Sequence, residues 1–369
     1  MILDWKVKDC KSVLVDCRYN SMKALLDYYK YDLNVFEIFL LGRAFTFKYA
    51  KINLKNEGIY GLPLVTVSDD DIEYSIFDSL KIPYHTDKMD ESPESWRRIK
   101  EIIDDDRPII FKLDERILRN NEAALNEHIK IRFLSIPVMY GYDEDNVHLF
   151  WSWATNSENL LIDFPLDRFN KYRNTICLPN SPEYRCCYVD EGFDGACDEN
   201  TDDIINESIK IIVTNMLSGE CKSSVIGTMD SSEVVSGIRA MKCFADDLKV
   251  YYEKLKNNEE YRKFLVLSVL LLRNTLLNGS KTAYRIEFAN ALNSFGRKTD
   301  NEALLSAGNE MAASAKRWQE MLAFMGKLAR NKTDFENGFA SLIEIYQDIY
   351  IKEKEIYEAL GEAYGIKCV

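Results

Sequence analysis

A cysteine stands where a helix is predicted to begin in the segment DCRYNSMKALLDYYKY, residues 16–31. From there apolar side chains recur with helical spacing, at Met22, Leu25, Leu26 and Tyr29. A thiol at a helix N-terminus meets unpaired N–H groups and the positive end of the helix dipole, which both favour the reactive thiolate. Asp16 acts against this, because a neighbouring negative charge disfavours a second one. Two interpretations of Cys17 stay open: a nucleophile, or a buried thiol at the start of an apolar stripe, which is a common environment of a free cysteine.

A cysteine nucleophile needs a general base, and the sequence offers three histidines for that function. His85 lies in a predicted loop, His128 lies in the segment ALNEHIKIRF, and His148 lies on a predicted strand. On that strand the period of two puts His148 on the opposite face from Val147 and Leu149. We keep His128 and His148 as candidate bases, although a single histidine on a strand is more often a hydrogen-bonded structural residue.

Length and composition indicate a globular protein with two domains. The chain has 369 residues, of which 46% are hydrophobic and 29% charged, so it can bury substantial cores. The formal net charge of −13 argues against nucleic acid as the main partner, because phosphate contacts require clustered lysine and arginine. The longest apolar stretch, residues 264–272, is too short to span a bilayer as a helix, so no membrane association is predicted.

The cysteines indicate thiols in a reducing compartment. The segment MILDWKVKDC at the start lacks the apolar core of a secretory signal, so a cytoplasmic location is predicted. The nine cysteines are then expected to be mostly free thiols. The spacings of a zinc site, C-x₂-C pairs or histidines at fixed offsets, do not occur, so no metal site is predicted.

Residues 1–175 mix helix and strand signals, which indicates an α+β domain. The segment SPESWRRIKEIIDDD predicts a helix with Pro93 in its first turn and isoleucines on one face. Further on, the segment SIPVMYGYDEDNVHLFW reads as strand, turn and strand. The strands of this hairpin are predicted at Ile136–Tyr140 and Val147–Trp151.

The last part of the chain reads as successive helices, after a junction at residues 176–229 that includes the first of them. A capping-box pattern at Asp230–Glu233 starts the helical bundle predicted for residues 230–369. The apolar helix around residues 264–272 is expected to pack centrally in this bundle. A Leu270→Ala change should then cost about 2–5 kcal/mol, the usual range for a buried leucine.

The order of several motifs resembles the butirosin biosynthesis protein H family, in which a papain-like domain precedes a helical one. These motifs are Cys17 with the aromatic pair Tyr28 and Tyr29, and the segments LLGRAFTFKY, DDDRPIIFKLD, PVMYGYDED and TAYRIEFANAL, which together cover nearly the whole chain. The resemblance implies an α+β domain with a papain-like (cysteine peptidase-like) fold, followed by an all-α helical bundle domain. We therefore expect the N-terminus of the helix at Cys17 to face a cleft against the hairpin.

The same resemblance implies an acyltransferase of natural-product biosynthesis. Members of the family transfer an acyl group from a carrier-protein thioester to an amine. The implied partners are an acyl- or peptidyl-carrier protein, which carries the phosphopantetheine, and a small-molecule amine. No cofactor of the protein's own is expected, and a homodimer is an option. Cys17 would take the acyl group as a new thioester, which the amine would then attack.

Four further residues are candidates for substrate binding. Phe45 and Phe47 would form a dry wall that keeps water away from the acyl group. Gly42 would let the backbone approach the substrate, or it simply allows a turn or close packing. Arg285 would meet a phosphate of the carrier protein, or it simply bonds a helix end.

Two of the three catalytic roles that the resemblance implies lack their expected residues. Ser135 stands where the resemblance places a catalytic histidine, and Phe150, Trp151 and Ser152 stand where it places an orienting aspartate or asparagine. Three functions therefore remain in view: an amide-forming acyltransferase, a catalytically degenerate scaffold or carrier-protein-binding protein, and a cysteine peptidase. A thioester has a good leaving group, whereas amide hydrolysis needs the leaving amine to be protonated, so the transferase best tolerates a weakened triad.

Overall fold

The structure, a computed structural model, describes most of the chain. The described residues are 1–5, 16–54, 59–69, 71–114, 131–132, 134–152, 161–175, 178–179, 181–195, 200–219, 233–255, 259–277, 280–330 and 334–366. Contacts divide the chain into two units, Met1–Gly42 with Asp70–Ile204, and Arg43–Asp69 with Ile205–Val369. The segment 43–69, which sequence analysis places within the first domain, therefore belongs to the second unit.

Helices and strands alternate in the first part of the chain, and helices dominate the last part. The helices are α1 (Cys17–Tyr28), α2 (Val35–Leu41), α3 (Ile72–Leu80), α4 (Pro93–Asp104), α5 (Leu166–Arg173), α6 (Thr201–Ser218), α7 (Gly237–Leu255), α8 (Glu259–Leu277), α9 (Arg285–Thr299), α10 (Glu302–Ala329) and α11 (Phe335–Ala363). The strands are β1 (Phe45–Leu54), β2 (Ile59–Ser68), β3 (Tyr84–Lys88), β4 (Ile109–Phe111), β5 (Leu113–Asp114), β6 (Ile131–Arg132), β7 (Leu134–Ser135), β8 (Val138–Tyr142), β9 (Asn146–Phe150), β10 (Leu161–Pro165), β11 (Leu178–Pro179), β12 (Arg185–Val189) and β13 (Val235–Ser236). The coarse fold class, a mixed first part and a helical last part, is thus confirmed.

A six-stranded antiparallel sheet organises the first unit. Its strand order is β10-β9-β8-β4-β12-β3. β8 and β9 form the predicted hairpin, with Val138 opposite Phe150 at its open end. A short antiparallel pair, β5 with β7, places Leu113 opposite Ser135, three residues before β8. This pairing holds Ser135 just outside the open end of the hairpin.

Capping side chains begin two helices of the first unit where the sequence predicts them. Asp16 accepts a hydrogen bond from the N–H of Arg18 at the start of α1. Ser92 does the same for the N–H of Ser95 at the start of α4. These bonds satisfy N–H groups that have no partner within the helix. The predicted apolar faces are buried, with Met22, Leu25 and Leu26 in α1 and Ile99, Ile102 and Ile103 in α4.

The second unit combines long helices with a sheet that was not predicted there. β1 pairs antiparallel with β2 on one side and with β13 on the other. β1 contacts α7, and β2 contacts α8. In the described part of residues 201–369 the structure has one short strand, β13, and the two long strands of this sheet come from a segment distant in the sequence. Residues 230–232 of the predicted capping box lie outside the described residues, and α7 begins at Gly237.

α8 carries the longest apolar run of the sequence and presents one face of it to the core. Leu265, Val269 and Leu272 are 0%, 1% and 2% exposed, whereas Leu270 is 40% exposed. A helix turns by about 100° per residue, so position 270 lies on a different face from the other three. The prediction that Leu270 packs centrally is therefore wrong. Within the described residues, no helix is long and apolar enough to cross a membrane.

A Leu272→Ala variant should lose about 2–5 kcal/mol of unfolding free energy, because truncating a buried leucine removes apolar contacts and leaves a cavity. The matched Leu270→Ala variant, on the same helix, should lose less than about 0.5 kcal/mol, as expected for a substitution at the surface. Urea unfolding followed by far-UV circular dichroism measures both losses. Equal losses would show that the buried face of α8 is assigned incorrectly.

Candidate active site

Cys17 is the first residue of α1 and is half-buried. Its Sγ lies 3.4 Å from the Oγ of Ser135, a contact between residues 118 positions apart in the sequence. Ser135 is the last residue of β7, and β8 of the hairpin begins at Val138. Cys17 therefore begins the helix, as predicted, and its thiol meets the residue at which the family resemblance expects a histidine.

Ser135 has a second partner, the indole of Trp151. The Nε1 of Trp151 donates a hydrogen bond of 3.0 Å to the Oγ of Ser135. Both residues are 1% exposed. Trp151 directly follows β9, so the hydroxyl group of Ser135 lies between the end of the hairpin and the thiol of Cys17.

A second hydrogen bond connects α1 to the same end of the hairpin. The Nδ2 of Asn20 donates to the Oγ of Ser152 at 2.8 Å, and both residues are buried. Asn20 lies three residues after Cys17, so the two side chains share one face of the helix. Ser152 is one of the residues that stand where the resemblance places an orienting aspartate or asparagine. It attaches the start of α1 to the end of the hairpin.

The negative charge of Asp16 is compensated within the first turn of α1. Its carboxylate accepts hydrogen bonds from the Nε of Arg18 at 3.1 Å and from the Nη2 at 2.7 Å. Both side chains are about 5% exposed, so water screens this pair little. The electrostatic opposition to a Cys17 thiolate that the sequence suggests is therefore reduced, and the favourable effect of the helix N-terminus remains.

His148 lies in β9 and pairs with carboxylates at the turn end of the hairpin. Its Nδ1 is 2.7 Å from the Oδ1 of Asp163 on β10, and its Nε2 is 3.6 Å from a carboxylate oxygen of Asp143. Trp151 follows three residues later, about 10 Å further along the strand direction. The structure therefore does not bring His148 to the thiol of Cys17.

The other two histidines do not complete the site within the described residues. His85 lies on the edge strand β3, where its Nε2 is 2.8 Å from the Oδ1 of Asp190. His128 lies outside the described residues, so its assignment as a base stays a prediction. Among the described residues, the Ser135 hydroxyl is one polar partner of the Cys17 thiol.

Residues 16–150 match a family model described as "Butirosin biosynthesis protein H, N-terminal". Over this span the chain is similar to butirosin biosynthesis protein H. The predicted resemblance is thereby confirmed for these residues, which begin one position before Cys17 and end at the last residue of β9. The name of the family associates this region with natural-product biosynthesis. A search of curated proteins gave no match.

Within the region similar to butirosin biosynthesis protein H, Gly42 serves close packing. It ends α2, and a Cβ atom at this position would lie 3.0 Å from the Cε1 of Tyr19. Tyr19 belongs to α1, two residues after Cys17. Of the two interpretations that the sequence leaves open for Gly42, this geometry supports close packing, because a side chain would push the aromatic ring away.

Phe45 and Phe47 also fall within the matched span, but they lie in the core of the second unit. They are 2% and 0% exposed. Phe45 stacks on Phe288 with ring centroids 4.5 Å apart, and Phe47 packs against Phe244 and Trp318. The prediction that they form a wall for the substrate needs correction, because side chains buried in this way have no surface left for a ligand.

Arg285 is likewise a core residue of the second unit. It is fully buried, and its Nε and Nη2 donate to the carboxylate of Glu353 at 3.0 and 2.9 Å. Its Nη1 donates to the backbone carbonyl of Ala283 at 2.7 Å, just ahead of α9. The guanidinium group has no exposed side for a phosphate, so the prediction of a carrier-protein contact is corrected to a buried ion pair that also bonds a helix end.

The thiols of Cys186 and Cys187 differ from that of Cys17 in burial. Both lie in β12 and are 2% exposed. Burial raises the pKa of Cys186 to about 12 and the pKa of Cys187 well above its ordinary value. They therefore remain protonated and weakly nucleophilic near neutral pH. Among the described residues, no group of three or more histidine, cysteine or acidic side chains is placed to hold a metal ion.

Sequence reasoning names Ser135, Trp151 and Ser152 only as positions that lack the expected residues. Ser135 and Ser152 reach α1 through contacts between residues more than 100 positions apart, and Trp151 joins the site through its hydrogen bond to Ser135. One local signal was available, the spacing of three residues between Cys17 and Asn20, which puts a thiol and an amide on the same helix face.

Proposed function

We propose that the protein is a cysteine-dependent acyltransferase, which takes an acyl group from a carrier-protein thioester and passes it to a small-molecule amine. The observation that carries the proposal is the position of Cys17 at the start of α1, with its Sγ 3.4 Å from the hydroxyl of Ser135. The family name, which refers to natural-product biosynthesis, is in keeping with this function. In the proposal the first unit is papain-like, because its cysteine begins a helix attached to an antiparallel sheet.

In the first step the thiolate of Cys17 attacks the carbonyl carbon of the acyl thioester. A new C–S bond forms, and the bond to the phosphopantetheine sulfur breaks. The carrier thiol leaves as a thiolate and takes up the proton that Cys17 has lost, so the exchange is balanced. The N-terminus of α1 provides a positive electrostatic environment for the oxyanion of the intermediate.

In the second step the amine attacks the thioester on Cys17. A C–N bond forms, the C–S bond breaks, and Cys17 is regenerated as a thiolate. The amine reacts as its free base, and the proton lost from nitrogen passes to water. The carrier protein brings the phosphopantetheine as part of the substrate, so this sequence of steps requires no cofactor bound by the acyltransferase itself.

The hydroxyl of Ser135 beside Cys17 favours a thioester over an amide as the substrate. A thiolate leaves without being protonated, whereas the amine of an amide must be protonated as it leaves. Serine cannot supply that proton near neutral pH. A cysteine peptidase is therefore the weakest of the three functions that the sequence leaves in view.

A specific observation favours a second candidate, a scaffold that binds a carrier protein without turnover. Ser135 and Ser152 hold α1 against the sheet through hydrogen bonds, at the positions where the family resemblance expects the histidine and the residue that orients it. Neither hydroxyl titrates near neutral pH. In this alternative the same contacts only stabilise the first unit.

Acyl transfer to the protein is tested by intact-mass spectrometry. The protein is incubated with acetyl, butyryl and glycyl thioesters of pantetheine, free and attached to a carrier protein. We expect a gain of the acyl mass that peptide mapping locates at Cys17, and no gain from the matched amides. Binding of the carrier without any gain of mass would favour the scaffold, and cleavage of the amides would favour the peptidase.

A further inference from the structure

We propose that the second unit contains a binding site for a compact hydrocarbon group, in an apolar cavity within its core. The cavity lies between β2, α7, α8, α10 and α11, which all belong to this unit. Buried leucine and phenylalanine side chains form much of its wall, namely Phe244, Leu248, Leu265, Leu272, Phe339 and Leu342. The inference does not depend on Cys17 or on the proposed acyl transfer.

The two hydroxyl groups carried by the lining residues have partners outside the cavity. The Oγ of Ser268 donates to the carbonyl oxygen of Phe264 at 2.8 Å, one turn earlier in α8. The hydroxyl of Tyr49 donates to the carboxylate of Asp247 at 2.6 Å. In the 3.4 Å contact between the hydroxyls of Tyr49 and Tyr251, the hydrogen therefore comes from Tyr251.

The chemistry of the wall selects the class of ligand. Among the described residues, only apolar atoms face the cavity. A buried water needs several polar partners, so water is a poor occupant of this space. A charged or hydrogen-bonding group would lose its hydration without a replacement, whereas a hydrocarbon group would gain the dispersion contacts that an empty cavity lacks. The occupant that this wall favours therefore has neither charge nor hydrogen-bond donors.

Two methionines form the adaptable side of the cavity. Met321 and Met325 are four residues apart on α10, so both lie on the face that lines the cavity. The cavity as it stands leaves room for little more than one water molecule. Methionine side chains are unbranched and flexible, so they can change rotamer and enlarge the space around a ligand. The movement of these two side chains therefore sets the size of the hydrocarbon group that fits.

The test is an NMR titration of the full chain, labelled with ¹³C at the methionine methyl groups, with benzene as the probe. Benzene should shift the signals of Met321 and Met325 in a saturable way, and it should raise the Tm, because a ligand that binds the folded state stabilises it. Phenol is the matched polar probe. It should bind at least about tenfold more weakly, because the cavity offers its hydroxyl group no partner.

Three variants locate the binding. Val269→Ile adds a methyl group to a lining residue, so it should weaken benzene binding at least about tenfold without lowering the Tm. Met325→Ala enlarges the cavity and should strengthen binding at least about threefold. Leu270→Ala changes the neighbouring residue, which is 40% exposed, and should leave the affinity unchanged.

Three results would overturn the inference. Shifts that never saturate, or binding of phenol as tight as that of benzene, would show unspecific association. A Val269→Ile variant with a lower Tm would show that this part of the core is already filled. An affinity for benzene that Met325→Ala leaves unchanged would place the binding elsewhere, whatever the stability of Val269→Ile.

Discussion

A Cys17→Ala variant should take up no acyl group from a carrier-bound thioester, with a rate at least about 10³-fold below that of the wild type. The reason is that Cys17 is the thiol at the start of α1, whereas Cys186 and Cys187 are buried in β12 with raised pKa values. Alanine is a good helix former and removes only one sulfur atom, so the helix should persist. Intact-mass spectrometry after incubation with the thioester measures the adduct, and circular dichroism verifies the fold.

Two further variants make this result specific. Cys17→Ser should be nearly as inactive as Cys17→Ala, because an alcohol is a far weaker nucleophile than a thiolate. Cys243→Ala is the matched control, because Cys243 is also a half-buried thiol and has no role in the proposed chemistry, and it should keep the wild-type rate. Full activity of Cys17→Ala in a reconstituted pathway would exclude the transferase mechanism and leave the scaffold.

Removal of the Glu353 carboxylate should have the largest effect on stability, a loss of about 3–5 kcal/mol of unfolding free energy in a Glu353→Leu variant. Glu353 and Arg285 are both fully buried. The carboxylate also accepts hydrogen bonds from the Oγ of Ser314 at 2.8 Å and the Nε1 of Trp318 at 2.6 Å. The guanidinium group of Arg285 lies 4.7 Å from the ring centroid of Trp318, so the variant leaves a cation in a core without its counter-charge.

Two controls distinguish a buried unpaired charge from the loss of any ion pair. Lys352, the residue before Glu353, pairs with Glu310 while 40% exposed, and Lys352→Ala should lose less than about 1 kcal/mol. The double variant Arg285→Met with Glu353→Leu should be more stable than Glu353→Leu alone, because no charge is then left in the core. Urea unfolding followed by circular dichroism measures all of them. A Glu353→Leu loss as small as that of Lys352→Ala would refute the argument.

Local sequence signals determined the elements that position the candidate site. Asp16 followed by an apolar stripe predicted α1, and Pro93 with its periodic isoleucines predicted α4. The alternating segment around the turn at Asp143 predicted the hairpin of β8 and β9. Each of these features depends on contacts between residues a few positions apart, so the pattern of the sequence is sufficient to indicate it.

Long-range packing decided which side chains meet. Cys17 contacts Ser135 rather than His148, because Ser135 lies on β7 outside the open end of the hairpin while β9 keeps His148 near the turn. Phe45 and Arg285 became core residues because β1 packs with the helices of the second unit.

The sequence by itself therefore determined where α1 begins, that a cysteine opens it, and the family that residues 16–150 resemble. Only the tertiary structure decided that a serine held by Trp151 lies beside this cysteine. The physical reason is that helix starts and hairpins depend on neighbouring residues, whereas burial and hydrogen bonds between distant segments depend on how whole elements pack against one another.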